Sequence, residues 1–217
     1  MLRRTSRRTR VVWAAFGGAM TLVTGLLLLG GGGGDGGPRG FVAAASAPSE
    51  TIAASWDGAA NDPIAPREAA LDRGRWTSIV IHHSGSPAGD AESIEREHLS
   101  YGFAGLGYHF IIGNGHGLGD GTIFVGPRWN RQQPGAHASG PQGAWLNEHS
   151  IGICLVGNGD RRSFSDRQIR ELVALVRRLQ QTLGIPATEV HLHSDVASTT
   201  SPGRFFPVAE FESQLWR

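Results

Sequence analysis

The spacing of apolar residues changes rhythm several times along the chain, and each rhythm predicts an element. Residues 76–84 (WTSIVIHHS) enclose a short β-branched apolar run and predict a buried strand. GYHFIIGNG and GTIFVG repeat the pattern beside glycine-rich turns and predict a hairpin. SIGICLVGN at 150–158 is apolar almost throughout and predicts a central strand, and TEVHLH predicts a last one. In SFSDRQIRELVALVRRLQQTLG the period becomes helical. Ile169, Leu172, Val173, Val176, Leu179 and Leu183 fall on one face, Ser165 and Gln168 form a capping box, Gly184 ends the helix, and Pro186 lies just beyond. Asp90 predicts the N-cap of another helix running to about Ser100 and stopped by Gly102. Pro207 opens a short final helix. The sum is an α/β domain with a mostly buried sheet, few helices and no internal repeat.

Upstream the pattern is different. MLRRTSRRTR carries five arginines and no acid, the next twenty residues (11–30) carry no charge, and AAASA at 43–47 offers small-residue cleavage sites. This is the layout of a signal peptide, and the apolar run is also long enough for a membrane anchor, so residues 1–47 are assigned to export or attachment. The flanking arginines would hold the N-terminus inside and send the rest outward, to the cell envelope or beyond. Residues 48–75, small, polar and proline-bearing, read as a linker or arm, with the folded domain at 76–217.

Charge changes the picture only after that segment is set aside. The full chain is at +1, but residues 48–217 hold 14 Arg against 18 acids, near −4, so no nucleic-acid footprint remains. There is no Lys, which removes lysine nucleophiles and Schiff bases. Cys154 is the only cysteine, so an exported domain would have no internal disulfide and must rely on its core.

The candidate chemistry lies in the histidines. HH at 82–83 and HLH at 191–193 each close an apolar strand. A histidine at a strand end is commonly a surface or hydrogen-bonded residue. Two pairs at two strand ends also suit zinc, which takes neutral imidazole readily. A catalytic zinc needs three protein ligands and an open position for water, whose pKa it lowers to about 7. Neither H-E-x-x-H nor C-x-x-C occurs, and the absence of G-x-S-x-G disfavours a serine hydrolase.

The order IVIHHSGS, GLGYHFIIGNG, DGTIFVGPRW, GAHA, NEHSIGICLVGN and HSDVASTTSPGRFFP, over about residues 76–210, resembles the zinc-dependent N-acetylmuramoyl-L-alanine amidases, a family that includes phage lysozymes of amidase type and the peptidoglycan recognition proteins. The resemblance implies a single domain with a mixed central β-sheet flanked by α-helices and a zinc groove on one face. It implies His82 and His193 as zinc ligands. Tyr108 would orient water or stabilise the tetrahedral intermediate, and Thr199 would donate to the developing oxyanion. His83 and His137 would line the groove. Trp129 and Arg128 are candidates for a wall that holds sugar or peptide, or else a structural Trp with a solvated Arg. The bond cut would join the lactyl group of N-acetylmuramic acid to L-Ala of the stem peptide, so the implied partner is peptidoglycan or a muropeptide.

One position departs from the family pattern. The third ligand is usually Cys, or Asp in some branches, just before the Pro-Gly. Here it is Ser201, a neutral hydroxyl and a poor zinc ligand. His191 or Asp195 could replace it, since both stand two residues from His193. Ser201 or water could complete a weaker site, or the domain could bind peptidoglycan without cutting it. Cys154 is not a candidate, because mid-strand free cysteine packs as a small hydrophobe.

Overall fold

The computed structural model describes residues 62–64 and 71–216. The export or anchor segment expected at 1–47 and most of the arm at 48–75 lie outside the described residues. The elements run β1 (Ser78–His83), α1 (Ala91–Ser100), β2 (Phe110–Ile112), β3 (Ile123–Val125), α2 (Pro127–Asn130), α3 (Gly143–His149), β4 (Ser150–Leu155), α4 (Asp166–Leu183), a 3-10 turn (Ala187–Glu189), β5 (Val190–Leu192), α5 (His193–Val196) and α6 (Val208–Ser213). Five strands form one sheet in the order β3-β2-β4-β1-β5. Every pairing is parallel except β2 with β3, the predicted hairpin, so the sheet is mixed.

Side-chain alternation divides the sheet into two unequal faces. Ile79, Ile81, Ile151, Ile153, Leu155, Phe110 and Ile112 point to one side and join Leu172, Val173, Val176 and Leu179 of α4 in the main core. These side chains are at most a few per cent exposed, and each contributes roughly 1.5–3 kcal/mol of hydrophobic stabilisation. The helix buries more than its predicted stripe. Gln168 is also buried, and its amide donates to the carbonyls of Val156 (2.9 Å) and Ile112 (3.3 Å) at the ends of β4 and β2. The opposite face is thinner: Ile111, Cys154 and Val156 meet Ile94 of α1 and Leu106. Ser78, Val80 and His82 of β1 share this second face with Cys154, because His82 is the register partner of Cys154.

Two boundaries differ from the expected ones. The run TEVHLH is divided: Glu189 ends a 3-10 turn, β5 spans only three residues, and His193 begins α5. Asp195 closes that helix start by accepting the Leu192 amide at 2.8 Å, a local bond that competes with strand extension. At the other end, Ile64 is fully buried in the main core, and Asp62 pairs with Arg178 of α4 at 2.8 Å. Packing therefore reaches upstream of Trp76.

Candidate functional site

His82 and His193 come together where β1 and β5 end. β1 and β5 are adjacent parallel strands, with Ile81 opposite Leu192, so the next residue of each lies side by side. The two ring centroids are 4.3 Å apart. Burial is the main cause holding both rings neutral: it pushes His82 well below the usual histidine range, aided by His137 and His193, and it takes His193 to about 4. Neutral imidazole is the form that binds a metal. His193 Nε2 is buried and has no hydrogen-bond partner, one of two such side-chain atoms among the described residues.

Tyr108 stands beside this pair, its ring centroid 5.2 Å from that of His82. Burial, with a smaller contribution from the Cys154 thiol in hydrogen-bonding reach, raises its phenol well above the usual range. The hydroxyl thus stays protonated and can donate. Cys154 is buried on the neighbouring strand in register with His82, and burial pushes its thiol up as well, which keeps it from serving as a thiolate.

Ser201 is buried, and its Oγ accepts the His83 amide at 3.0 Å, immediately beside His82. The oxygen keeps a second lone pair. Thr199 accepts the Ser201 amide at 3.2 Å, which leaves its hydroxyl proton free to donate. The loop that carries them is fastened twice: Thr200 donates to Asp160 at 2.6 Å, and Ser194 N donates to Ser201 O at 2.8 Å.

The alternative third ligands are engaged elsewhere. Asp195 uses a carboxylate oxygen to close α5, and His191 stands 3.5 Å from the Glu189 carboxylate. Among the described residues no three His, Cys, Asp or Glu side chains are grouped to hold a metal ion. The donor set is two neutral imidazoles with a serine hydroxyl close by.

Four residues expected at the groove have other work. Trp129 is fully buried in the main core against Phe110 and Trp76, so it is no substrate wall. Arg128 donates to the carbonyls of Leu106 (2.6 Å) and Pro134 (2.5 Å), so two of its nitrogens tie loops together rather than wait for a ligand. His83 projects to the opposite side of the strand from His82, and its Nδ1 meets Pro202 O (2.7 Å) and Gly159 N (3.1 Å). One nitrogen serves only one of these at a time, and the shorter contact makes it the donor to Pro202. His137 is buried, and its Nδ1 lies 3.1 Å from His82 Nε2. It braces a site residue instead of lining the groove. Two histidines outside the expected set also pack here: His98, whose Nδ1 accepts the Gly107 amide at 2.9 Å and whose ring touches Tyr108, and His109, buried between Trp76 and His137. Strand parity was the available signal for His109, two residues before Ile111 on the thinner face.

This arrangement defines a two-histidine, one-tyrosine site on a mixed sheet, and comparison places it. Residues 72–204, more than half the chain, match the family model described as N-acetylmuramoyl-L-alanine amidase, and the chain belongs to that family. It is 28% identical over 148 residues to an endolysin of Enterobacteria phage K11, covering 64% of this chain and 84% of that protein. It is 32% identical over 114 residues to peptidoglycan-recognition protein SC2 of Drosophila melanogaster, but there the match spans only 55% of the relative. Among solved structures, the endolysin N-acetylmuramoyl-L-alanine amidase LysCS of Clostridium intestinale superposes with a TM-score of 0.56 at 32% identity, covering 64% of this chain and 83% of that one.

Proposed function

We propose that this chain is an exported, zinc-dependent N-acetylmuramoyl-L-alanine amidase that hydrolyses the amide between N-acetylmuramic acid and the L-Ala of the stem peptide. The observation that carries this reading is the adjacent, neutral pair His82 and His193, with the buried and unpartnered Nε2 of His193. That orphaned atom lacks what a metal or a bound group would give it, and the pair fits a zinc ion; Ser201 is the neutral neighbour that would complete the protein's share. Zinc, when bound, supplies a Lewis acid and lowers the pKa of water to about 7.

The chain's own residues supply the rest. Burial keeps both imidazoles unprotonated at neutral pH. Tyr108, whose phenol is protonated at neutral pH and is held so more firmly by burial, can donate to the oxygen of the scissile carbonyl as charge develops there, and the Thr199 hydroxyl can do the same from the loop. The decisive assay digests peptidoglycan and looks for stem peptides with a new free L-Ala amine. Their release by the intact chain, and their loss in Tyr108→Phe, are expected.

Ser201 favours a second reading, in which the domain binds peptidoglycan without cutting it. Its hydroxyl is already engaged by the His83 amide, and among the described residues no anionic side chain joins the pair in a metal-holding group. Zinc-free protein that still sediments with peptidoglycan and frees no peptide would establish this reading over the first.

A further inference from the structure

We infer that His137 is a positioning residue that fixes the tautomer of His82: it gives its own Nε2–H to the Ser150 carbonyl, accepts the His82 Nε2–H at Nδ1, and so leaves the His82 Nδ1 lone pair free for a metal. The inference deepens the zinc reading, but its tautomer part stands without it.

The direction follows from one fixed point. Ser150 O is a carbonyl and can only accept, so the His137 nitrogen beside it at 3.3 Å, Nε2, carries the hydrogen. A neutral imidazole has one N–H, so His137 Nδ1 holds a lone pair. That lone pair lies 3.1 Å from His82 Nε2, which must then be the protonated nitrogen of His82. The remaining nitrogen of His82, Nδ1, is the acceptor and the one available as a ligand. Metal-binding histidines depend on such a partner at the other nitrogen to set tautomer and ring orientation.

The fold holds His137 in place from three directions. Asn147 of α3 accepts the backbone amides of His137 (2.8 Å) and Ala138 (2.9 Å) through Oδ1 and donates to Ala138 O (2.9 Å), locking the 135–138 loop. Gly152, in the middle of β4, leaves room for the ring: a Cβ there would stand 2.6 Å from His137 Cγ. His109 packs edge-on behind it, itself fixed by accepting the Gly152 amide at Nδ1 (3.0 Å) and donating to Gln133 O from Nε2 (3.1 Å). The GAHA and NEHSIG stretches thus meet to set one proton on one ring.

The test is a long-range nitrogen–proton spectrum of histidine-labelled, metal-free full chain, followed by zinc titration against a competing chelator. The expected spectrum shows His82 protonated at Nε2 and bare at Nδ1. His137→Leu is expected to populate the opposite tautomer and weaken zinc binding by about 10- to 100-fold. His137→Gln keeps an acceptor and a donor at similar separation and should restore most of both. A His82 that carries its hydrogen on Nδ1 in the unmutated chain overturns the inference, as does a His137→Leu variant with unchanged spectrum and affinity. If that variant fails to fold, the spectrum of the unmutated chain decides alone. A chain with the expected tautomer that takes up no zinc overturns the amidase reading and leaves the tautomer assignment standing.

Discussion

Gly152 and His137 share one space: the glycine's missing side chain is where the imidazole sits, with His137 Cδ2 only 2.5 Å from where a Cβ would be. Gly152→Ala therefore forces either the ring or strand β4 to move. Overpacking of a tight interior costs about 1–3 kcal/mol, and urea denaturation should show a loss in that range. Because the ring that leaves is the brace of His82, zinc affinity should fall as well. A variant as stable and as zinc-avid as the parent would show that the ring is not confined there.

Ser201→Cys is the complementary change. The position is buried next to His82, and the His83 amide that now donates to the hydroxyl would donate equally to a thiolate. An anionic sulfur in place of a neutral oxygen should raise zinc affinity by at least about tenfold, since thiolates rank among the preferred zinc ligands. Competition titration measures it. Unchanged affinity would mean that position 201 does not face the metal.

His109 gives the fold a pH dependence. Burial lowers its pKa to about 4 from 6.5. The folded protein keeps the ring neutral while the unfolded chain protonates it, so this group's contribution is fully present above pH 6.5 and is lost as pH falls toward 4. The loss over that window is about 3 kcal/mol at most. Denaturation at pH 7, 5.5 and 4 should show the decline, and His109→Gln should flatten part of it. A parent protein with level stability across the window would contradict the buried, neutral ring.

Trp129 tests what the groove does not contain. Its Nε1 is buried without a partner, so Trp129→Phe removes an unsatisfied donor while it shrinks the core. The two effects oppose, and the net change should stay within about 1.5 kcal/mol. Sedimentation with peptidoglycan should be unaffected. Weakened binding in a variant of unchanged stability would return this residue to the binding surface.

Much of the fold could be read from the residues because periodicity and caps are local. The α4 stripe, the capping box at Ser165, the N-cap at Asp90, and the β2–β3 hairpin all follow from neighbours within a few positions. The short helices α2, α3 and α5 escaped because four to seven residues are too few to show a period. His82, His193 and Tyr108 were named from motif resemblance, and the structure brings their rings together. The burial and hydrogen-bond partners of His137, Trp129 and Arg128 were not legible. Whether a side chain near the site faces a groove or the core depends on which distant loop covers it, and that is settled by contacts such as Asn147 with the 135–138 loop.

The most direct measurement is zinc-dependent amide cleavage by one protein sample. The full chain is stripped with chelator, reloaded with stoichiometric zinc, and incubated with purified peptidoglycan while newly exposed L-Ala amines are counted. The expected result is about one zinc bound per chain, cleavage restored on reloading, and both lost in His193→Ala. Protein that binds peptidoglycan, takes up no zinc and exposes no new amines under any of these conditions would contradict the account.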